Sequence, residues 1–273
     1  SRSGVVSSNN IGLETAGRIL VGLAGVKDSD RVRKLLQGSA NLEFWETYNL
    51  PEIYQQLVAA DNMLATILKS DDTAAEGSET TVTEVAEETV TDNAAAEATN
   101  EADSLLAKLG EDQPEAQAAK SMDEFAKQHP LFAILQINQY GGQLASGPVV
   151  GIADKKDIAK INEYLNMKQV KDILPRNLSL KWGVKAIDEK EQYFYLYAIK
   201  MTNRDGTPAL GGDVVTDANA DFVQQAGRSE QQVSMAMNAE GAKAWARLTK
   251  ENIGKAVAIV LDDMVYSAPN VQV

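Results

Sequence analysis

Few side chains in this sequence are equipped for chemistry, and their surroundings decide what each could do. There is one histidine, His129, and no cysteine. Thiolate nucleophiles, disulfides and cysteine zinc sites are therefore excluded. His129 stands directly before Pro130, at what reads as a helix end. The sequence brings no partner near it, so it is expected to be a helix-terminal surface residue that complements the helix dipole. Gly254-Lys255 has the ending of a phosphate loop, but residue 249 is Thr and residue 256 is Ala, so the required glycine and hydroxyl are both missing. Val257–Leu261 followed by Asp262-Asp263 resembles a strand that delivers carboxylates to Mg²⁺. Without a phosphate loop, a turn whose Asp side chains bond nearby backbone accounts for it. No catalytic, cofactor-binding or metal-binding residue is expected, and the chain does not read as an enzyme.

Charge is concentrated. Of 39 acidic and 26 basic residues, 16 and 2 fall between Asp71 and Glu124, leaving 23 and 24 for the rest. The rest is nearly neutral and has no basic stripe, so a nucleic-acid partner is not expected. The acidic stretch lacks the ligand pattern of a calcium loop. No aromatic residue occurs from Gln55 to Glu124. Such a segment repels itself and has little apolar surface to bury, so residues from about 70 to 120 are expected to be a disordered or loosely helical insertion.

The elements that must position these groups follow from periodicity. Arg18–Ala24 and Ala40–Glu46 read as strands, with a helix from Asp28 or Ser29 to Leu36 between them. Pro51 suits a first helical position, and Glu52–Lys69 carries Ile53, Leu57, Met63, Leu64, Ile67 and Leu68 as one face. Ser121 is expected to cap a helix ending before Pro130. Leu131–Gln136 and Val149–Ala153 follow as strands, and Gly141-Gly142 and Gly147-Pro148 as loops. Asp154 is expected to cap a helix to about Leu165, and a short helix stops at Pro175. Leu178–Ile187 and Tyr193–Met201 alternate as an antiparallel pair, and Asp205-Gly206 is a turn. Gln232–Met237 is a strand. Ala239–Glu251 is a helix with Ala242, Trp245, Ala246 and Leu248 inward. Ala256–Leu261 is a strand that turns at Asp262-Asp263 into Val265-Tyr266. Trp45, Trp182 and Trp245 are assigned to the core. Mixed strands and helices without strict alternation indicate an α+β chain. No apolar run reaches the roughly 18 residues of a membrane-spanning helix. The opening Ser1-Arg2-Ser3 and the strand-like Asn270–Val273 read as cuts rather than natural ends.

Two stretches resemble the SecD family of protein-export membrane proteins. In the first, Asn238, Glu240, Gly241 and Ala242 match "N-x-E-G-A". Leu248, Thr249, Asn252, Gly254 and Lys255 match "L-T-x-x-N-x-G-K", Ala258–Asp262 matches "A-I-V-L-D", and Val265, Ser267, Ala268 and Pro269 match "V-x-S-A-P". Gly211-Gly212-Asp213-Val214 is similar to the family's Gly-Asp-Leu/Val element. In the second, Gly4-Val5, Arg18–Val21, Leu23–Val26 with Gly25, and Ala40–Phe44 follow the family's order near the N-terminus. Two departures stand out: Ala24 replaces a proline, and Asp263 replaces the glycine of an Asp-Gly turn. The stretch from about 47 to 205 reads as an enlarged insertion.

The resemblance implies a fold and a role. The fold is a partial ferredoxin-like base (1–47) plus an inserted mixed α/β head (48–273), on the periplasmic side of the inner membrane. The role is proton-gradient-driven export beside SecF and the SecYEG channel, engaging the translocating unfolded secretory protein. The motif residues Gly25, Gly212, Asp213, Asn238, Glu240, Gly241, Gly254, Lys255, Asp262, Ser267 and Pro269 would then be structural. Met235 and Met237 are candidates for an adaptable client-binding face. Two other readings stay open: an envelope hydrolase using carboxylates of the middle region, and a structural spacer.

Overall fold

The computed structural model describes residues 18–22, 41–76, 115–188, 190–225 and 228–271. In chain order the first elements are β1 (Arg18–Gly22), β2 (Leu42–Thr47), α1 (Leu50–Glu76), α2 (Glu115–Gln128), β3 (Leu135–Ile137), β4 (Gln139–Tyr140) and β5 (Gln143–Leu144). Next come β6 (Val149–Asp154), α3 (Ile158–Asn166), α4 (Lys168–Ile173), β7 (Leu178–Ala186), β8 (Tyr193–Lys200) and β9 (Leu210–Gly211). The chain ends with a 3₁₀ turn (Gly212–Val214), β10 (Val215–Gln225), β11 (Arg228–Met237), α5 (Ala239–Glu251), β12 (Val257–Leu261) and β13 (Met264–Ser267). This is a mixed α/β chain of two compact units. The first takes residues 1–49, 146–150 and 177–273; the second takes 50–145 and 151–176.

In the first unit, β12 organises the main sheet. It pairs antiparallel with β2 on one side and β13 on the other. β13 pairs parallel with β7, β7 antiparallel with β8, and β8 antiparallel with the end of β2. These five strands therefore close into a ring. All five residues of β12 are buried. Val257, Ile259 and Leu261 face one core, with Leu42, Phe44, Met235, Met237, Trp245 and Leu248. Ala258 and Val260 face another, with Trp45, Ile199 and Val265. Alternate side chains of a strand point to opposite faces, so a strand covered on both sides must be apolar throughout. Residues of the second core come from four of the five ring strands, which makes it the ring's interior. Thr47, also buried, donates its hydroxyl to the Ala256 carbonyl at 2.7 Å, so its own polar atom is paired.

A second sheet, ordered β1-β11-β10, is built on the β10–β11 hairpin. Nothing in Asp217-Ala218-Asn219-Ala220-Asp221 favours a strand by propensity, so β10 owes its form to cross-strand pairing with β11. β1 matches the expected strand over Arg18–Gly22. The expected helix from Asp28 or Ser29 to Leu36 lies outside the described residues.

α5 covers the first core. Trp245 meets Phe44 edge to face, with ring centroids 5.2 Å apart. Asn238 caps the helix, its Oδ1 accepting from the Gly241 amide at 2.8 Å. Of the four residues expected to face inward, Trp245 and Leu248 are buried, Ala242 is partly buried and Ala246 is exposed. Gly241 takes the buried place on the near side instead, directly against Val214.

In the second unit, α1 buries Leu50, Ile53, Leu57, Ala60 and Leu64 completely, a stripe at helical spacing. Met63, expected on this face, is 36% exposed because it lies about a third of a turn off the stripe. α1 also runs on through Asp71 and Asp72 to Glu76, past the expected end at Lys69. Three further boundaries differ from expectation. Ser121 lies inside α2 rather than capping it. Residues 131–134 form a turn, so the strand starts only at Leu135. Asp154 holds the amide of Lys156 at 3.0 Å, and α3 begins later, after Asp157. Gly141 and Gly142, with φ of 59° and 74°, form the two-residue turn of the β4–β5 hairpin.

Two consequences can be measured. Gly241→Ala would normally favour a helix by about 1 kcal/mol, but the new Cβ would lie 2.6 Å from Val214 Cβ. Steric overlap wins, and denaturant unfolding should show a net loss of about 1–3 kcal/mol. Asp188, between β7 and β8, accepts from the amides of Tyr193 at 3.0 Å, Gln192 at 2.9 Å and Lys190 at 3.2 Å. These bonds, the one from Tyr193 first, hold its carboxyl below the ordinary range. A depressed folded value means the stabilisation is present above the ordinary carboxylate pKa of about 3.9 and is lost as pH falls through the folded value. Asp188→Ala should therefore lower the melting temperature at pH 7, and the gap from the parent chain should close in acid.

Candidate functional site

The described residues that could bear chemistry gather in two places. In the second unit, Asp61 is fully buried on the apolar stripe of α1. One carboxylate oxygen lies 2.8 Å from His129 Nδ1. The other accepts from the amides of Leu131 at 2.8 Å and Phe132 at 3.4 Å. Burial pushes the Asp61 carboxyl above its ordinary value, against the opposing pull of His129 and the two amides. His129 is thus no surface residue: its side chain is 12% exposed, with the Phe125 and Phe132 rings at 5.0 and 6.5 Å. α2 ends there because Pro130 cannot continue it. The carboxylate then satisfies amides that the turn leaves free, much as a cap does. One signal in the sequence points to this pair: an acid inside an apolar stripe, at i+4 from Leu57 and i−3 from Leu64.

In the first unit the motif residues converge on the joints between α5, β12 and β13. Asn238 and Gly241 form the α5 cap, tied to the Val214 carbonyl through the Asn238 amide at 2.9 Å. Glu240 sits in the first turn, where a negative charge suits the helix dipole. Gly212 lies against β2, where a methyl group in place of its hydrogen would come within 2.8 Å of Leu42 Cβ, and Asp213 follows in the 3₁₀ turn. Beyond α5, Gly254 takes φ 78°. The segment 254–257 then pairs with 269–271: Gly254 amide to Val271 carbonyl, Val271 amide to Lys255 carbonyl, and Val257 amide to Pro269 carbonyl, at 2.9, 2.9 and 3.0 Å. Gly254-Lys255 thus follows a helix C-terminus and leads into a strand. Phosphate loops lie at the opposite, positive end of a helix.

Asp262 and Asp263 make the β12–β13 turn with φ of 47° and 70°. Left-handed backbone is uncommon for residues other than Gly, Asn and Asp. Asp262 Oδ1 accepts from the Asn41 amide at 3.1 Å, and Asp263 pairs with Lys181 Nζ. Each carboxylate therefore has a partner, and Lys181 is that of Asp263, the residue standing where the family has glycine. Ser267 faces inward, its hydroxyl unpartnered among the described residues. Gly25 lies outside the described residues. Met235 and Met237, candidates for a client-binding face, are 2% and 5% exposed, so both belong to the core. Sheet pairing explains the correction, since β11 carries them to the α5 side of β12. Trp45, Trp182 and Trp245 are buried as expected.

The motif residues hold backbone, and no nucleophile–base pair or convergent carboxylate pair arises among those described. Comparison with known proteins fits this picture. Residues 190–273 match the family model described as "SecDF, P1 head subdomain", and residues 4–49 match "Protein translocase subunit SecDF, P1 domain, N-terminal". Both matches fall within the first unit. The protein translocase subunit SecD of Rhodothermus marinus is 38% identical over 92% of this chain and 34% of its own length. SecDF of Thermus thermophilus is 50% identical over 23% of this chain and 8% of its own, and SecD of Rickettsia conorii 45% identical over 45% and 22%. The chain thus spans about a third of the length of the Rhodothermus relative. A solved structure titled "Structure and function of a membrane component SecDF that enhances protein export" aligns at 21% identity and a TM-score of 0.22 over 85% of this chain and 80% of its own, too distant to bear on the fold. With both ends matched to P1 models and nearly the whole chain to one relative, the chain belongs to the SecD/SecDF family and carries its first periplasmic domain.

Proposed function

We propose that this chain serves protein export as the first extracytoplasmic domain of a SecD-type subunit, engaging the translocating polypeptide and moving against the membrane part. The carrying observation is that two P1 family matches fall at the ends of the chain and meet in one compact unit. Family membership favours a site on the periplasmic side of the inner membrane, with SecF and the SecYEG channel as partners through membrane segments. In this reading residues 1–47 contribute to a ferredoxin-like base. Residues 48–273 form the head, with an acidic insertion at about 70–120. The energy source is the proton gradient, whose carriers would lie outside this chain. The motif residues brace the joints of the first unit, as a lever requires, and the chain is not an enzyme.

The test is precursor export in cells whose full-length protein lacks residues 50–250, with complex abundance as control. Unprocessed precursor should accumulate at normal complex levels. Normal export would reduce the domain to a spacer. Direct engagement has its own measurement: the purified chain should slow the tumbling of a fluorescent, unfolded secretory polypeptide. Unchanged anisotropy at saturating chain would remove direct holding while leaving the family role intact.

A further inference from the structure

We propose that the β4–β5 hairpin, with Tyr140 at its tip, is a contact through which the second unit takes hold of an extended polypeptide segment, whatever its sequence or charge. This deepens the direct engagement proposed above and rests on it. The hairpin is a small sheet of its own, with Gln139 paired to Leu144 and Tyr140 to Gln143. Its turn is Gly141 and Gly142, both in left-handed backbone, and a methyl group added at Gly141 would meet nothing within 4 Å. Tyr140 is 89% exposed, more than any other large apolar side chain among the described residues. Below the tip the hairpin is rooted. The Ala145 amide donates to the Asn138 carbonyl at 2.9 Å, and β3, just before, pairs with Gly151–Ala153 of β6. The Tyr140 ring is thus held out from a fixed base.

Charge limits what this tip can take. From Pro130 to Ala153 there is no Asp, Glu, Lys, Arg or His, although the first four make up 24% of the chain. Burial accounts for Leu131, Leu135, Val150 and Ala153. It does not account for Gln136, Tyr140, Gly141, Gly142, Gln143 and Ser146, which are exposed and equally uncharged. An anionic lipid surface or a nucleic acid is drawn by Lys and Arg, which this stretch lacks. A folded partner needs roughly 800 Å² from each side for a stable interface. Strands of 2 residues each present far less than that. The ligand that fits is one with no fixed charge, held locally and released readily.

The paired side chains supply the two kinds of contact that an unfolded segment can answer. Residues opposite each other in an antiparallel pair share a face, so the Tyr140 ring and the Gln143 amide stand side by side. The phenol ring covers apolar side chains at low entropic cost and keeps a hydroxyl for polar ones. The Gln143 amide both donates and accepts, which matches a peptide group whatever side chain it carries. Neither contact reads sequence, and neither carries a charge that would reject acidic or basic segments. Tyr193, the other exposed aromatic among the described residues, follows exposed Lys190 and Glu191 and lacks this neutral setting.

The test is a titration of the purified 273-residue chain into a fluorescent, unfolded secretory polypeptide, followed by anisotropy, using variants whose melting temperature equals the parent's. Tyr140→Ala should weaken capture by about tenfold or more, the loss of a single aromatic anchor. Gln143→Ala should weaken it by a smaller factor, and Tyr140→Phe should stay near the parent. Tyr193→Ala, in the other unit, should leave capture unchanged. Tyr140→Ala within about twofold of the parent, or an equal loss in Tyr193→Ala, would overturn the hairpin contact and leave direct engagement standing. A parent chain that captures no polypeptide would remove both. Binding to phosphatidylethanolamine–phosphatidylglycerol vesicles, or self-association in sedimentation, that is lost in Tyr140→Ala while polypeptide capture persists would assign the tip to lipid or to a second copy. Either result would overturn the proposal.

Discussion

Five consecutive apolar residues, Val257 to Leu261, set the terms for the rest of the first unit. Each face of this strand is claimed by a different core, so no position on it can be polar. Everything that reaches α5 must lie on one side and everything inside the ring on the other. The helix before β12 and the strand after it are then constrained at their ends rather than along their lengths. This is why the family motifs sit at joints: a cap at Asn238, a left-handed glycine at Gly254, a turn at Asp262-Asp263.

That distribution says what kind of function the motif residues can support. Their side chains mostly satisfy backbone amides, or are absent so that backbone can approach. Gly241 yields space to Val214, and Gly212 to Leu42. Such residues fix distances between elements and leave surface chemistry free to vary. The proposed role in export would have use for that separation. The Asp61–His129 pair belongs to a different unit and follows a different logic, since there a buried carboxylate is satisfied by an imidazole and two amides.

The sequence is most legible where local signals agree with tertiary demands. α5 runs from Ala239 to Glu251 as expected because cap, periodicity and closing glycine all point the same way. β7 and β8 are legible from alternation. β10 is not, since its residues gain strand form from a partner that periodicity cannot name. Met235 and Met237 look available in the sequence because methionine is common on adaptable surfaces, yet register against β1 and β10 decides their side. The burial of His129 is hidden for a similar reason. Its partner lies 68 positions earlier, across the acidic segment, and only the folded chain brings the two together. The Asp-Asp turn is legible as a turn, whereas its stabilisation by Lys181 and the Asn41 amide depends on strands far away in sequence.

The closed ring of β2, β12, β13, β7 and β8 has a consequence for how this domain can meet an extended chain. A strand with a neighbour on both sides has no row of unpaired amides and carbonyls to lend. The ring therefore cannot take up a passing polypeptide by strand addition, and it is likewise protected from templating aggregates of unfolded chains. In the other sheet, β1 and β10 each have one neighbour among the described residues. Backbone-to-backbone capture by the first unit would fall to that small sheet or to the short edge strand β9, while contacts made by the ring would have to be made by side chains.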